Sequence, residues 1–135
     1  MRIVLDTNVL ISGIFFTGPP SKILAAWAAG GFDLIASVDV LAEYRRVGER
    51  LQRQFPTVDV QQVLDLVTRE SRIVETVSIP LSACSDPNDL MFLACAAAGQ
   101  ATCVVSGDRA LLKASGFQGI DVVTPREFIR RYLPA

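Results

Sequence analysis

The sequence predicts an α/β fold, a parallel sheet with helices on both faces, and three observations lead there. Five short runs of β-branched and apolar residues recur along the chain. Material with helical character separates each neighbouring pair of runs, and strands that alternate with helices pair in parallel through crossovers over the sheet. At 135 residues the chain has the size of one domain, 1–135, long enough to bury roughly two thirds of the surface its unfolded form exposes.

The elements follow in order. Arg2–Leu5 opens as a strand, and its consecutive apolar residues Ile3 to Leu5 suit one covered on both faces. It stops on Asp6, Thr7 and Asn8 before apolar residues resume at Val9. The helix "PPSKILAAWAAGG" starts at Pro and Ser and ends at Gly30, ahead of a second strand over Phe32–Ala36. "SVDVLAEYRRVGERLQRQF" starts at a Ser37 cap and stops before Pro56, and "TVDVQQVLDLVTRE" supplies a further helix before the third strand, Arg72–Val77. "SDPNDLMFLACAAAG" reads as a helix with Asp86 as cap, Pro87 next and Asp89 at the third position. Strands over Thr102–Val105 and Ile120–Val123 follow, and "TPREF" closes with a capping box: Thr124 as cap, Pro125 at the first helical position and Glu127 reaching back.

Composition narrows the chemistry. Half the residues are hydrophobic and 20% are charged, a globular balance. The apolar start "MRIVL" is too short for a signal peptide, and no stretch approaches the ~18 apolar residues of a membrane span, so the expected location is the cytoplasm. Cys84, Cys95 and Cys103 form no CxxC pair, and two of them lie in apolar surroundings that suit packed thiols better than ligands. The chain has no histidine, which removes His-based acid–base catalysis, Ser-His-Asp and Cys-His nucleophiles and the HExxH zinc site. Neither GxxxxGK[ST] nor GxGxxG occurs. Carboxylates are left as the serious candidates.

Open parallel sheets place ligands outside the carboxyl ends of their strands, and acids fall there. Asp6 ends the first strand, Asp86 and Asp89 open the helix before the fourth, and Asp108 follows the fourth in "VVSGD". Glu43 sits on a helix among Val40, Leu41 and Val47. Each acid alone has a structural reading. Asp6, Asp86 and Asp108 serve equally as helix caps, and Glu43 as a solvated glutamate paired with Arg46 or Arg50. Caps have no need to converge from several elements on one rim. Clustered carboxylates repel unless a cation sits between them, and hard divalent ions with oxygen ligands provide it.

Taken together, "LDTNVLIS", Glu43-Tyr44, "DPNDLMFLACAAAG", "VVSGDRALL" and "GIDVVTPREFI" resemble the PIN domain, most closely the VapC-like toxins of toxin–antitoxin systems. The resemblance spans nearly the whole chain. It implies a three-layer α/β/α sandwich and a Mg²⁺- or Mn²⁺-dependent endoribonuclease leaving a 5′-phosphate and a 3′-hydroxyl. Matched residue by residue, the family's acids fall on Asp6, Glu43, Asp89 and Asp108 as catalytic and metal-holding groups. Asn8, Thr7, Asp86 and Ser106 are expected to support them. The departure is at Asn88 and Met91, where relatives commonly read a further Asp and a nearby Lys.

The expected partners are an RNA substrate, a small antitoxin protein and a second copy of the chain. Thirteen basic residues face fourteen acidic ones; with the five candidate site acids set aside, nine acids remain against thirteen bases, a net of +4. Arg45, Arg46, Arg50 and Arg53 are candidate RNA-backbone contacts, with a solvated helix face as the equal alternative. Phe15, Phe16 and Trp27 are candidates for a groove holding the antitoxin. Two other readings are a non-catalytic PIN-like module that binds RNA or protein and a haloacid dehalogenase-type phosphatase. The latter's DxDx[TV] resembles "DTNV", with Asn8 in place of its second Asp.

Overall fold

The structure, a computed structural model, describes residues 1–133. Among them five strands form one all-parallel sheet: β1 (Arg2–Leu5), β2 (Asp33–Ala36), β3 (Arg72–Ile73), β4 (Cys103–Val105) and β5 (Asp121–Val123), in the order β3-β2-β1-β4-β5. Helices α1 (Thr7–Phe15), α2 (Pro19–Ala28), α3 (Val38–Gln52), α4 (Val60–Glu70), α5 (Leu90–Gly99), α6 (Arg109–Lys113) and α7 (Pro125–Tyr132) flank it in an α/β/α sandwich. The central strands have no exposed face: Ile3, Val4, Leu5, Cys103, Val104 and Val105 are all completely buried, which is why they read as continuous apolar runs and not as alternation.

Strand order decides where a site can form. β1 to β3 are laid down in one direction from β1, and β4 and β5 in the other. The order therefore reverses between β1 and β4, and crevices for ligands open at the carboxyl ends of strands at such a reversal. The register Ile3 to Cys103 and Leu5 to Val105 brings Asp6 level with Ser106 at that point.

Three local expectations need correction. The third strand is paired only over Arg72–Ile73, with one further bond from Val74 N–H to Ala36 O at 2.9 Å. It is an exposed edge with a neighbour on one side only, so the apolar residues beyond it have no ladder to join. At α7 the Thr124 hydroxyl accepts from Glu127 N–H at 3.2 Å as predicted, but Glu127 does not reach back. Its carboxylate pairs forward with Arg130, a charged donor that competes better than a backbone N–H. Asp86 caps a single 3₁₀ turn, Pro87–Asp89, and α5 begins only at Leu90.

Trp27 is packed into the core with Ile23, one turn before it on the inner face of α2. With Phe32 and Asp33 it lines a cleft at the start of β2, away from the acidic rim, so it forms no part of a partner groove there. Cys84, Cys95 and Cys103 are free and buried. No single helix among the described residues is long and apolar enough to cross a membrane.

Candidate metal centre

At the β1/β4 reversal, Asp6 begins α1 without capping it through its side chain. Its backbone carbonyl starts the helix by accepting from Val9 and Leu10 N–H at 3.0 and 3.2 Å, while its carboxylate turns to β4. There the Ser106 hydroxyl donates to Asp6 Oδ2 at 2.6 Å and accepts from Asp108 N–H at 2.9 Å. One fully buried serine thus ties the ends of both strands together and fixes the rotamer of Asp6. Burial raises the Asp6 pKa above the usual carboxylate value; the Ser106 bond opposes that rise, and the charges of Asp108 and Glu43 add to it.

Asp6, Glu43, Asp89 and Asp108 line one cleft of about 170 Å³, together with Thr7, Asn8, Arg46, Arg50 and Asn88. Asp86 stands beside it, and one carboxylate oxygen each from Asp86, Asp89 and Asp108 lie within 4.8 Å of one another. Two of these three are also caps. Asp86 Oδ1 accepts from Asn88 N–H at 3.0 Å, and Asp108 Oδ1 from Ala110 N–H at 2.8 Å. Each spends one oxygen on its helix.

Asp89 does not. It is only 7% exposed, caps nothing, and its Oδ2 is a buried oxygen without a hydrogen-bond partner. Burial, with the Asp108 carboxylate alongside as the next cause, pushes its pKa up to about 7. A buried polar atom left unpaired is costly, and one that faces further carboxylates is more so. An all-oxygen donor set with a spare buried oxygen fits a hard divalent cation and offers nothing to a soft one. Asp86, Asp89 and Asp108 fit that group.

Glu43 is brought to the cleft by a residue whose role sequence reasoning missed. Tyr44 is completely buried, and its hydroxyl donates to Leu5 O at 2.5 Å, which bolts α3 to the last residue of β1. The signal was present: Tyr44 lies on the inner face of α3 with Val40 and Val47, and a buried tyrosine needs a partner for its hydroxyl. Glu43 itself is clasped by Arg46, at 2.6 and 3.2 Å.

The four α3 arginines do not share a direction. Arg46 and Arg50 line the cleft, and Arg53, a turn beyond Arg50, continues their face. Arg45 points to α4, where it bonds Gln61 at 2.8 Å and contacts Asp65 and Thr68, so it faces away from the cleft. Asn8 and Asn88 are exposed on the rim, whereas Thr7 is buried with its hydroxyl unpartnered. Met91 packs partly buried against the core and presents no charge. Larger clefts exist, such as one of about 470 Å³ beside β3, but they hold no buried unpaired acid.

A family model described as a PIN domain matches residues 2–110. The chain belongs to the PIN domain family. Its sandwich is therefore a nuclease fold, and the acidic cluster at the β1/β4 reversal fits the metal site that such a PIN domain uses. The match covers β1 to β4 and every candidate acid from Asp6 to Asp108. No curated protein matches the chain.

Proposed function

We propose that this PIN domain is a Mg²⁺- or Mn²⁺-dependent endoribonuclease of the cytoplasm, the toxin of a toxin–antitoxin pair. The observation that carries the nuclease reading is the buried, partnerless Oδ2 of Asp89 inside a cluster of carboxylate oxygens. In this reading residues 111–133 form one domain with residues 2–110, supported by Phe128 of α7, buried edge-on to Phe32 at 5.6 Å between ring centroids.

Asp6, Glu43, Asp89 and Asp108 hold the ion in this reading, and Asp86, whose carboxylate lies with those of Asp89 and Asp108, supports them. When bound, the ion lowers the pKa of water and neutralises phosphoryl charge, which suits a protein without histidine. Ser106 keeps Asp6 in one orientation, and Tyr44 keeps α3, and with it Glu43, against β1. Arg46 balances the charge of Glu43, and Arg50 meets an RNA phosphate. A toxin needs restraint in its own cell. An antitoxin arginine, whose planar fork matches carboxylates, can satisfy the cluster in place of the cation.

The test is RNA cleavage by the purified protein with Mn²⁺, repeated with EDTA and with Glu43→Gln. Cleavage is expected only with metal, and the variant should lose activity and bind Mn²⁺ more weakly by calorimetry. Cleavage that survives EDTA removes the assignment, and unchanged Mn²⁺ affinity in Glu43→Gln returns that residue to the helix surface. The toxin reading is separate: co-purification from the native source should yield a small partner and an inhibited complex. Active, partner-free protein that is harmless when overproduced leaves the nuclease and removes the toxin.

A further inference from the structure

The ends of α1 and α3 carry an aromatic cluster that the cleft does not use. Phe15, Phe16 and Phe55 form a triangle with ring centroids 5.6 to 6.4 Å apart, and Phe16 meets Phe55 edge to face at 89°. Phe16 is 52% exposed and Phe55 36%. The connection that carries Phe55 is tied down. Gln52 donates to Phe55 O at 3.1 Å and accepts from Val60 N–H at 2.9 Å, and Phe55 N–H bonds Leu51 O at 3.0 Å.

Both helices lead to this cluster from the acidic cleft. Asn8 on the cleft rim and Phe16 are separated by about 12 Å of helix, and Glu43 and Arg53 by about 15 Å. Gly48 lets α3 seat closely on α4: a Cβ there would sit 3.1 Å from Leu64 Cδ1 and 3.2 Å from Val60 Cγ2, with Ile11 Cδ1 of α1 at 3.4 Å. Along the α3 side stand Arg50, on the cleft, and Arg53, one turn further on. Neither makes an ion pair among the described residues, whereas Arg45 and Arg46 do. The aromatic cluster thus lies at the far ends of two helices whose nearer turns line the acidic cleft, with the unpaired Arg50 on the cleft and Arg53 one turn beyond it.

We infer that Phe16 and Phe55 form a base-stacking platform for single-stranded RNA, whose backbone runs past Arg53 and Arg50 into the acidic cleft. Unpaired bases stack on aromatic rings in a sequence-tolerant way, and guanidinium groups neutralise the phosphates between them. A duplex, with its bases already stacked, has nothing to offer the rings. The unpaired arginines favour a polyanion, and the exposed rings beside them favour one that carries flat bases. The inference assigns this chain a binding subsite outside the acidic cleft of the nuclease proposed above and rests on that reading.

The test is fluorescence anisotropy of a short labelled oligouridylate in EDTA, where binding is read without cleavage, against an RNA duplex of equal length. Phe16→Leu and Phe55→Leu should each weaken single-strand binding at least ~5-fold, leave duplex affinity and the thermal midpoint unchanged, and preserve the salt slope. Arg50→Gln should instead lower that slope by about 0.7. Wild-type single-strand affinity in both Phe variants overturns the platform, as does an equal loss on the duplex. A dimer in sedimentation that Phe16→Ser with Phe55→Ser dissociates without change in RNA affinity overturns it too, by making the face a protein interface. Mn²⁺-dependent cleavage is scored in parallel. A cleaving wild type whose Phe variants bind normally removes the platform and keeps the nuclease, and a wild type that stacks RNA through these residues but never cleaves keeps the platform and removes the nuclease.

Discussion

Residues 124–127 and 86–89 share one local grammar: a capping side chain, a proline, a polar residue, and an acid at the third position. Their surroundings are opposite. Thr124 caps α7 and Glu127 lies at the surface, its carboxylate held below the usual value chiefly by the bond from Arg130. Asp86 likewise caps its turn, but Asp89 is buried beside Asp108 with an unpartnered oxygen and a pKa near 7. The acid at α7 is satisfied by the helix that follows it. The acid at 89 keeps a buried oxygen that nothing in the chain partners, so stability of a helix start does not account for it. An electrostatic debt left standing in a core is the mark of a site that awaits a ligand.

The comparison breaks most sharply at the third-position acids. Asp89→Asn should reduce Mn²⁺-dependent RNA cleavage at least ~100-fold, while the metal-free protein melts at the same temperature or higher, because a charge is removed from a crowded cluster. Glu127→Gln should leave cleavage within about twofold and stability within ~0.5 kcal/mol. Equal activity losses in the two variants would erase the distinction. Asp6→Asn belongs with Asp89: cleavage is lost and metal-free stability is kept or raised, measured by thermal unfolding without metal and turnover with Mn²⁺. A variant that cuts RNA at the wild-type rate takes Asp6 out of the site.

A pH series sharpens the same contrast. Asp89 keeps its proton in the folded, metal-free chain up to about pH 7, against an ordinary aspartate value of 3.8. Between those values the folded state binds more protons than the unfolded one, so this carboxyl's contribution to stability falls as pH rises from about 4 to 7. Metal must displace that proton. Calorimetry in buffers of different ionisation heat should therefore show proton release on Mn²⁺ uptake, with affinity falling about tenfold per unit below pH 7. Asp89→Asn should abolish both, and a pH-independent Mn²⁺ affinity in the wild type would contradict the burial argument.

The smallest effects come from the caps. Thr124→Ala should cost about 1 kcal/mol in chemical denaturation and leave cleavage untouched. Asp86→Ser keeps a capping oxygen, so stability should stay within ~0.5 kcal/mol. It removes one carboxylate from the cluster, so cleavage should fall only in part. A full loss would place Asp86 level with Asp89.

Much of this was legible in the sequence, because local signals act over a few residues. Five strands, the helix starts at Ser37 and Thr124, the cap at Asp86, and the absence of histidine needed only periodicity, capping chemistry and an inventory. Together they directed attention to carboxylates at strand ends. What tertiary structure alone decided concerns pairs far apart in the chain. The Ser106 bond to Asp6 spans 100 residues and the Tyr44 bond to Leu5 spans 39. Both depend on a strand order and register that no local pattern encodes. The same holds for Asp86, which reads first as a cap in the sequence and whose carboxylate the fold sets within 4.8 Å of those of Asp89 and Asp108, and for Arg45, which lies beside Arg46 in the chain but faces α4. A residue's own helix or strand follows from its neighbours in sequence; the side chains it meets follow from how layers close on a common core, and convergence of charge is a property of that closure.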